Sequence, residues 1–486
     1  MKEIKHFING KYTGSVDGKV FDNIDPATGQ VISKVHEAGE KEIDAAVLAA
    51  REALHGSWGG TDADQRATIL HKVADGITAR FDEFLDAECR DTGKPKSLAR
   101  QIDIPRGAAN FKIFADLIKN VATDAFEMAT PDGTGALNYA LRRPKGVIGV
   151  IAPWNLPLLL MTWKVGPALA CGNTVVVKPS EETPTTTALL GQVMKDAGVP
   201  DGVFNVVHGF GENSAGAFMT AHPDIDAYTF TGELGTGEHI MRAAAKGVRD
   251  VSLELGGKNA GIVFADSDMN KAIEGTLRSA FSNCGQVCLG TERLYVERSI
   301  FEEFVARLKD GAESLVIGPP DDPNSNFGPL ISLGHRDKVL SYYQKAVDDG
   351  ATLVTGGGIP DMPDELAKGA WVQPTIWTGL PDNSAVVTEE IFGPCCHIRP
   401  FDDEQEVIEM ANSVSYGLAS AIWTENVTRA HRVAGQIEAG IVWINSWFLR
   451  DLRTPFGGSK HSGIGREGGV HSLDFYTETK NICVKL

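Results

Sequence analysis

A cysteine and a glutamate in this sequence are of types that can carry out covalent chemistry together. Cys288 ends the stretch Phe281–Cys288, and Glu254 stands upstream of it, before Leu255 and a double glycine. A thiolate can attack a carbonyl carbon and form a covalent intermediate, and a carboxylate can activate the water that cleaves it. These residue types are compatible with a nucleophile at Cys288 and a general base at Glu254.

Other interpretations of the cysteines stand beside this one. A lone cysteine is usually a small buried hydrophobic residue. Cys284 would share a helix face with Cys288 if the segment were helical, as a neighbour, a resolving thiol or inert packing. Because no second Cys or His pair completes a zinc-site spacing, we expect no metal. Cys395 and Cys396 follow Gly-Pro and are expected to pack rather than react.

Four segments together resemble the signatures of the aldehyde dehydrogenase superfamily, in that family's order and at about its spacing. They are Pro153-Trp154-Asn155, Glu254-Leu255-Gly256-Gly257-Lys258, Phe281–Cys288 and Glu389-Glu390-Ile391-Phe392-Gly393-Pro394. The chain is identified as a member of this superfamily, and the resemblance extends from Ile8-Asn9-Gly10 to the C-terminal tail.

The resemblance implies that an aldehyde is oxidised to an acid through hydride transfer. Cys288 would attack the carbonyl, and its backbone N–H and the Asn155 amide would form the oxyanion hole, typically worth about 3 kcal/mol per donor. Glu254 would activate the water that hydrolyses the thioester, so its presence favours a free acid over acyl transfer to coenzyme A. A noncatalytic protein with the same fold is the remote alternative, which the presence of all three residues disfavours.

The elements that would position these residues can be predicted from Gly146 to Ala265. Strand-like runs alternate with helix-like stretches, the pattern of a parallel sheet covered by helices on both faces. The predicted strands are Val147–Ile151, Thr174–Val177, Val203–Val207, Ala227–Phe230, Val251–Leu253 and Ile262–Phe264, and the predicted helices are Thr185–Asp196, Ser214–Ala221 and Glu238–Ala245. Such sheets bind ligands at the carboxyl ends of their strands, so Asn155, Lys178 and Gly232 are expected to line one cleft.

Two glycine-rich segments compete as the dinucleotide site. Gly463–Gly468 matches G-x-G-x-x-G literally, but no βαβ unit follows it, and a lone match is weak. The segment from Phe230 to Gly237 instead predicts a strand, a glycine turn and a helix, whose N–H groups and positive end can hold pyrophosphate. It resembles the family's phosphate turn, although Glu233 stands where serine is commonest. A plain β–α turn is the alternative.

The resemblance assigns further residues to an NAD cofactor. Gly232 and Gly237 would belong to the phosphate turn, and Trp154 would also lie at the cofactor site. Lys178-Pro179-Ser180-Glu181 looks like the ribose clamp, and because Glu181 would repel a 2′-phosphate, we expect NAD rather than NADP. Glu390 and Phe392 resemble the residues that hold the nicotinamide-side ribose and ring; otherwise Glu389 and Glu390 would be only an acidic helix start.

The expected fold class is α/β, with the domain organisation of the family. A Rossmann-type NAD-binding domain would comprise residues 1–121 and 145–256, and an α/β catalytic domain residues 257–456. A β oligomerisation arm and C-terminal segment would comprise residues 122–144 and 457–486, with strands at Leu137–Arg143 and Asn481–Leu486 for intersubunit pairing. The family is usually dimeric or tetrameric, so a homodimer or homotetramer is expected.

Two segments resemble the muconic semialdehyde dehydrogenases within this superfamily: Ile104–Phe111 and Trp447–Gly458. The resemblance implies that Arg106 and Arg450 grip a substrate carboxylate, which a planar guanidinium binds bidentately. Trp447 would pack on the flat substrate or only on core. Either arginine flanking Asp451 could instead pair with it, and Arg453 is expected to be structural.

The expected substrate is therefore 2-hydroxymuconate 6-semialdehyde, a carboxylated aldehyde of the catechol meta-cleavage pathway. 2-Aminomuconate semialdehyde differs from it by one polar substituent, and no residue in the sequence discriminates the two. It remains an alternative, as does another carboxylated aldehyde.

Length, charge and composition bear on the number of domains, on nucleic-acid binding and on the location of the protein. A chain of 486 residues is too long for one ordinary core, and its net charge of −18 opposes nonspecific nucleic-acid binding. Seven cysteines do not resemble a disulfide framework and favour a reducing, cytoplasmic location. The N-terminus leads into no apolar signal core, and prolines, Asn155 and Lys164 interrupt the apolar stretch Gly146–Cys171. We interpret that stretch as a buried strand plus an active-site loop and expect no membrane anchor.

Overall fold

The structure, a computed structural model, describes residues 2–486. The strands are β1 (Lys2–Ile4), β2 (His6–Ile8), β3 (Lys11–Thr13), β4 (Val20–Ile24), β5 (Val31–His36), β6 (Ala125–Met128), β7 (Ala136–Pro144), β8 (Val147–Ile151), β9 (Thr174–Lys178), β10 (Phe204–Val206), β11 (Ala227–Thr231), β12 (Asp250–Glu254), β13 (Asn259–Val263), β14 (Thr291–Glu297), β15 (Thr352–Thr355), β16 (Thr375–Thr378), β17 (Cys395–Phe401), β18 (Tyr416–Gly417), β19 (Ala419–Trp423), β20 (Ile441–Ile444), β21 (Ser459–Lys460), β22 (Gly463–Ile464) and β23 (Thr477–Lys485).

The α-helices alternate with these strands through most of the chain. They are α1 (Glu40–His55), α2 (Ala63–Ala79), α3 (Phe81–Thr92), α4 (Lys96–Gln101), α5 (Asp103–Ile118), α6 (Pro157–Ala170), α7 (Thr185–Asp196), α8 (Ala215–Ala221), α9 (Leu234–Ala245), α10 (Met269–Phe281), α11 (Phe301–Glu313), α12 (Leu333–Asp348), α13 (Ala385–Thr388), α14 (Glu404–Asn412), α15 (Val427–Ala434) and α16 (Gly469–Phe475).

An eight-stranded sheet in the order β22-β12-β11-β8-β9-β10-β2-β3 forms the first layer. Its five middle strands are parallel, and their β-branched residues are buried on both faces, as in other parallel sheets covered by helices. Ile151 pairs with both Lys178 and Phe230, so the carboxyl ends of β8, β9 and β11 lie side by side. The α/β prediction for this region is confirmed, and α7 has the predicted bounds.

A second, seven-stranded sheet has the order β15-β16-β17-β14-β13-β19-β20. All of its strand pairs are parallel except the one between β15 and β16. The strand predicted at Ile262–Phe264 runs from Asn259 to Val263 and pairs with β14 and β19. It therefore belongs to this sheet rather than to the series of strands that begins at Gly146.

A three-stranded antiparallel sheet, β23-β7-β6, is separate from both. β7 pairs with β23 along its whole length, from Thr477 opposite Pro144 to Lys485 opposite Ala136. β7 matches the predicted strand within two residues, but the C-terminal strand begins earlier than Asn481. On the outer strand, Phe126 and Met128 are exposed.

The stretch interpreted as a strand plus a loop contains a helix, so that prediction was partly wrong. After the loop at Pro153–Leu156, α6 runs from Pro157 to Ala170 and is buried over its whole length. Proline is favoured in the first helical turn, and a helix that is apolar on all sides has no periodicity that marks it. Gly463–Ile464, inside the G-x-G-x-x-G match, is an edge strand antiparallel to β12, in agreement with its rejection as a dinucleotide turn.

Candidate active site

The turn before Cys288 is not helical. Asn283, Cys284 and Gly285 all have left-handed φ values, 52°, 54° and 69°. Cys284 and Cys288 therefore do not share a helix face, and the buried Cys284 thiol donates to the Gly328 carbonyl at 2.7 Å. The side-chain oxygen of Gln286 accepts from the Ile331 N–H at 2.9 Å, so the turn is held in place on both sides.

Asn155 joins this turn to the first sheet. It follows β8, and its side-chain amide donates to the Gln286 carbonyl at 3.0 Å. Its own carbonyl accepts from Lys94 Nζ at 2.9 Å and from Asn283 Nδ2 at 3.1 Å. Because an amide nitrogen carries two hydrogens, one remains for a substrate oxygen at the nucleophile.

Cys288 is partly buried and packs against the apolar cluster that contains Trp447 and Phe456. Burial, then the carboxyl groups of Glu390 and Glu254, raise the pKa of its thiol to about 12, while Arg450 opposes them. The resting side chain is therefore a thiol, and it reacts only after loss of a proton.

Glu254 is the last residue of β12 and is only 4% exposed. Its Oε1 atom has no hydrogen-bond partner within residues 2–486. Burial, and next the charge of Glu467, raises the pKa of Glu254 well above its usual range. A Cβ at Gly457, where φ is 152°, would stand 2.8 Å from Oε1, so a glycine at this position keeps a side chain away from that oxygen.

A buried ion pair behind Glu254 was missed by the sequence reasoning. Lys164 Nζ, in α6, lies 2.7 Å from Glu467 Oε1, and both side chains are buried. The signal was present: Lys164 interrupts an apolar stretch, and a buried lysine needs an anionic partner. Nothing in the sequence indicates that this partner lies in the rejected glycine motif.

Arg450 lies between two aromatic rings, with its Cζ atom 4.3 Å from the Trp163 centroid and 3.8 Å from that of Phe456. Burial, and next Arg106, lowers its pKa to about 9. Buried nitrogen atoms of Arg450 (Nε and Nη2) and Arg106 (Nε) lack partners in the described chain. Two partly buried arginines that have buried nitrogen atoms without partners, and no carboxylate of residues 2–486 in an ion pair with either, form a site suited to an external anion.

Arg453 behaves differently, as predicted. It is exposed and pairs with Asp451 at 2.6 Å, so the internal ion pair belongs to Arg453 and not to Arg450. Trp447 is held by a hydrogen bond from its indole Nε1 to the Leu289 carbonyl at 2.9 Å and stacks on Phe448. It therefore forms a fixed apolar wall next to Cys288.

The predicted phosphate turn is the junction between β11 and α9. The Gly232 N–H donates to the Glu254 carbonyl at 3.0 Å, and a Cβ at Gly237 would stand 2.6 Å from the Leu255 side chain. Glu233 is exposed, and its carboxylate accepts from the Thr236 hydroxyl at 3.2 Å. Glu233 is thus held against the first turn of its own helix.

The ribose-clamp residues lie together at the end of β9. Lys178 is buried, and its Nζ atom lies 3.4 Å from Glu181 Oε2 and 3.0 Å from the Pro179 carbonyl. Burial lowers the pKa of Lys178, while Glu181 opposes that effect. Both side chains carry groups that can hydrogen-bond hydroxyls.

Glu390 and Phe392 follow α13 rather than beginning a helix. Glu390 accepts from the Gly257 N–H at 2.8 Å, and a Cβ at Gly256 would collide with its carboxyl group. Burial, then the charge of Glu292, raises the pKa of Glu390 to about 8. The double glycine after Glu254 therefore makes room for the Glu390 side chain.

Phe392 is held in a left-handed conformation, φ 61°, which a bulky residue rarely adopts. Its N–H donates to Glu292 at 2.9 Å, and Glu292 forms an ion pair with the buried Lys258. Its carbonyl lies 2.8 Å from the His335 ring nitrogen, and its ring contacts Trp154 edge-on at 5.3 Å. These contacts fix the backbone and the ring together.

Residues 2–486 also bear on a metal site and on a membrane span. No group of three or more metal-ligating side chains converges in that range. No helix there is long and apolar enough to cross a membrane.

The chain matches a family model, described as the aldehyde dehydrogenase family, over residues 12–482. It is 79% identical, over 100% of both chains, to 2-hydroxymuconic semialdehyde dehydrogenase of Pseudomonas sp. (strain CF600). It is 56% identical to 2-aminomuconic 6-semialdehyde dehydrogenase of Pseudomonas sp., over 100% of this chain and 99% of that one. The NAD+ complex of aldehyde dehydrogenase from Bacillus cereus superimposes with a TM-score of 0.96 at 41% identity, covering 100% of this chain and 97% of that one.

Proposed function

We propose that this chain, which belongs to the aldehyde dehydrogenase family, oxidises 2-hydroxymuconate 6-semialdehyde to 2-hydroxymuconate with NAD as hydride acceptor. The observation that carries the substrate assignment is the pair of partly buried arginines, Arg106 and Arg450, whose buried nitrogen atoms lack hydrogen-bond partners in the described chain. The similarity to a 2-hydroxymuconic semialdehyde dehydrogenase supports the same substrate.

The residues at the strand ends fit a dinucleotide. Gly232, Gly237 and the N-terminus of α9 would hold the pyrophosphate. A Cβ at either glycine would collide with a neighbouring side chain, Phe230 or Leu255, so the turn in this form requires glycine. Lys178 and Glu181 would bind the adenosine ribose, and the carboxylate of Glu181 favours NAD over NADP.

The other half of the cofactor would lie toward the nucleophile. Glu390 would bind the nicotinamide ribose, and Trp154 and Phe392 would form the wall beside the ring. When bound, NAD accepts the hydride that leaves the substrate carbon. The solved NAD+ complex of a similar chain supports this assignment.

The chemistry at the substrate begins at Cys288. Its thiol loses a proton, and Sγ adds to the aldehyde carbon, which places negative charge on the former carbonyl oxygen. The free N–H of the Asn155 amide and the Cys288 backbone N–H would hold that oxygen. Fixed donors in a site of low dielectric stabilise the developing charge without reorganisation.

Loss of hydride from the same carbon leaves a thioester on Cys288, and Glu254 then acts on that thioester. Its unpartnered Oε1 atom would take a proton from water, whose oxygen attacks the acyl carbon and releases Cys288 as the acid forms. A raised pKa makes the ionised carboxylate a stronger base than an ordinary one. Hydrolysis gives the free acid as product.

Three further proposals concern the whole molecule. The NAD-binding domain comprises residues 1–121 and 145–256, the catalytic domain residues 257–456, and the arm with the C-terminal segment residues 122–144 and 457–486. The β23-β7-β6 sheet, with its exposed Phe126 and Met128, serves a homodimer or homotetramer. Seven free cysteines support a cytoplasmic location.

The test is to mix purified protein with NAD and the yellow ring-fission product of catechol, following loss of its colour together with NADH formation. We expect kcat/KM for this substrate to exceed that for hexanal by at least a hundredfold. Equal kcat/KM values for hexanal and for this substrate would show that Arg106 and Arg450 do not select a carboxylated aldehyde. Higher efficiency with 2-aminomuconate semialdehyde would move the assignment to that alternative.

A further inference from the structure

A second group of buried charged residues, besides the Lys164–Glu467 ion pair, contacts the backbone carbonyl of Asn155. Lys94, Asp103 and Glu88 are each at most 1% exposed. Lys94 Nζ donates to Asp103 Oδ1 at 2.8 Å and lies 3.8 Å from Glu88 Oε1. Burying three ionisable groups is unfavourable unless they are paired, so the cluster is expected to perform a task.

The remaining contacts of the cluster lead to the oxyanion loop. Lys94 donates to the Asn155 carbonyl, and Glu88 Oε2 accepts from the Leu158 N–H at 3.3 Å. The cluster therefore holds the loop both at Asn155 and at the start of α6. Asp103 is the first residue of α5, and Arg106 follows one turn later on the same helix.

We propose that Lys94 is a positioning residue for the oxyanion hole, which fixes the Asn155 peptide and, through Asp103, ties it to the helix that carries Arg106. The proposal rests on the proposed role of Asn155. It means that the donor at the aldehyde end and a cation at the carboxylate end of the substrate are held by one buried ion pair.

The surroundings of the two carboxyl groups in the cluster agree with this role of Lys94. Glu88 Oε1 and Asp103 Oδ2 are buried without hydrogen-bond partners in the part of the chain that the structure describes. Burial raises the pKa of Glu88 well above its usual range, although Lys94 opposes the shift. Of the two carboxyl groups, Asp103 is the one that lies at hydrogen-bond distance from Lys94, at 2.8 Å against 3.8 Å for Glu88.

The test is a double-mutant cycle on acylation of Cys288 by 4-nitrophenyl acetate. This activated ester forms an oxyanion at the same nucleophile but needs neither NAD nor a carboxylate on the substrate, so failure of the substrate assignment would not affect it. Lys94→Met should slow acylation about tenfold to a hundredfold, which is less than the roughly hundredfold to thousandfold loss known for removal of one oxyanion donor, because the Asn155 side chain itself is retained. In an Asn155→Ala background, Lys94→Met should slow acylation less than twofold further.

Asp91→Asn is the matched control. Asp91 is a buried carboxylate on the same helix as Glu88, but it contacts Asn23 and Thr185 instead of the oxyanion loop. Asp91→Asn should lower the thermal midpoint of unfolding and leave the acylation rate within twofold of the wild-type rate. Equal slowing by Lys94→Met in both backgrounds, or no slowing in either, would overturn the proposal.

If Lys94→Met does not fold, as judged by circular dichroism, Asp103→Asn and Glu88→Gln replace it. Asp103→Asn changes the carboxylate that is hydrogen-bonded to Lys94 Nζ at 2.8 Å, whereas Glu88→Gln changes the carboxyl group that lies farther from it, at 3.8 Å. Asp103→Asn should slow acylation at least fivefold more than Glu88→Gln does. The reverse order, or equal effects, would contradict the proposal.

Discussion

On one side of Cys288, the partly buried arginines Arg106 and Arg450 have buried nitrogen atoms without hydrogen-bond partners in the described residues. We call this the arginine side. On the other, the glutamate side, Lys258 pairs with Glu292, which also accepts two backbone N–H groups. A buried charge without a partner destabilises the folded protein, and a bound ligand of opposite charge can offset that cost. A buried charge with all its partners present instead holds the surrounding residues in place. The first side is built to bind an anion, and the second to hold Glu390 and Phe392 in place.

The largest expected effect is at the unpartnered carboxylate between the two sides. Glu254→Gln should lower steady-state turnover about a thousandfold, because the amide cannot take a proton from water. The first turnover should still give one NADH per active site. Stopped-flow fluorescence separates the two phases, and steady turnover close to wild type would remove Glu254 from this role.

The two sides should also act in opposite directions on the nucleophile. Because the pKa of Cys288 is raised to about 12, the thiolate fraction, and with it inactivation by iodoacetamide, should rise about tenfold per pH unit from pH 7 to 10. Glu390→Gln should speed inactivation at pH 8, and Arg450→Met should slow it. A plateau below pH 9 would contradict the raised pKa.

Arg450→Met should lower kcat/KM for the carboxylated aldehyde about a hundredfold, the effect of about 3 kcal/mol for a lost buried charge contact. The value for hexanal should change less than fivefold. The thermal midpoint should not fall, because the substitution removes an unpartnered buried charge. Equal losses for both aldehydes would show that Arg450 supports the site only structurally.

Glu292→Gln breaks the scaffold instead. We expect the KM for NAD to rise about tenfold, because Phe392 and Glu390 lose their support, and the free energy of unfolding to fall by about 3 kcal/mol as Lys258 is left unpaired. Initial rates and urea unfolding measure the two effects. A stability equal to wild type would mean that the ion pair is not a scaffold.

The smallest effect belongs to Arg453→Ala, the control for Arg450. Arg453 is exposed and paired with Asp451, and such surface ion pairs contribute about 0–1 kcal/mol. Both kcat/KM and the thermal midpoint should stay close to wild type. A tenfold loss of kcat/KM would mean that Arg453 also helps to bind the substrate carboxylate.

The sequence predicted the features that leave a local pattern. Helix α7 follows Pro184 and has an amphipathic period, and the glycines from Gly232 to Gly237 mark a β–α turn. Helix α6 was missed because it is apolar on every face and so resembles a buried strand. The left-handed turn at Asn283 and Cys284 was also missed, because only tertiary contacts hold non-glycine residues there.

The charge partners could not be predicted, because they depend on approaches between distant parts of the chain. Lys164 and Glu467 are 303 residues apart. Asp451 lies between two arginines, and only the path of the backbone decides that Arg453 pairs with it while Arg450 turns toward Trp163. The types of residue in the site were therefore predictable, but their pairing was not.

The pairing of β7 with β23 has a consequence for the synthesis of the chain. β7 is complete at Pro144, but its partner is the strand that ends at Lys485, so the ribosome must synthesise the chain from Lys145 to Lys485 before this sheet can be completed. Until then one edge of β7 is open to pairing with other nascent chains. Products truncated before Thr477 keep that edge open, and on polysomes translating one message they are the species most prone to co-aggregate.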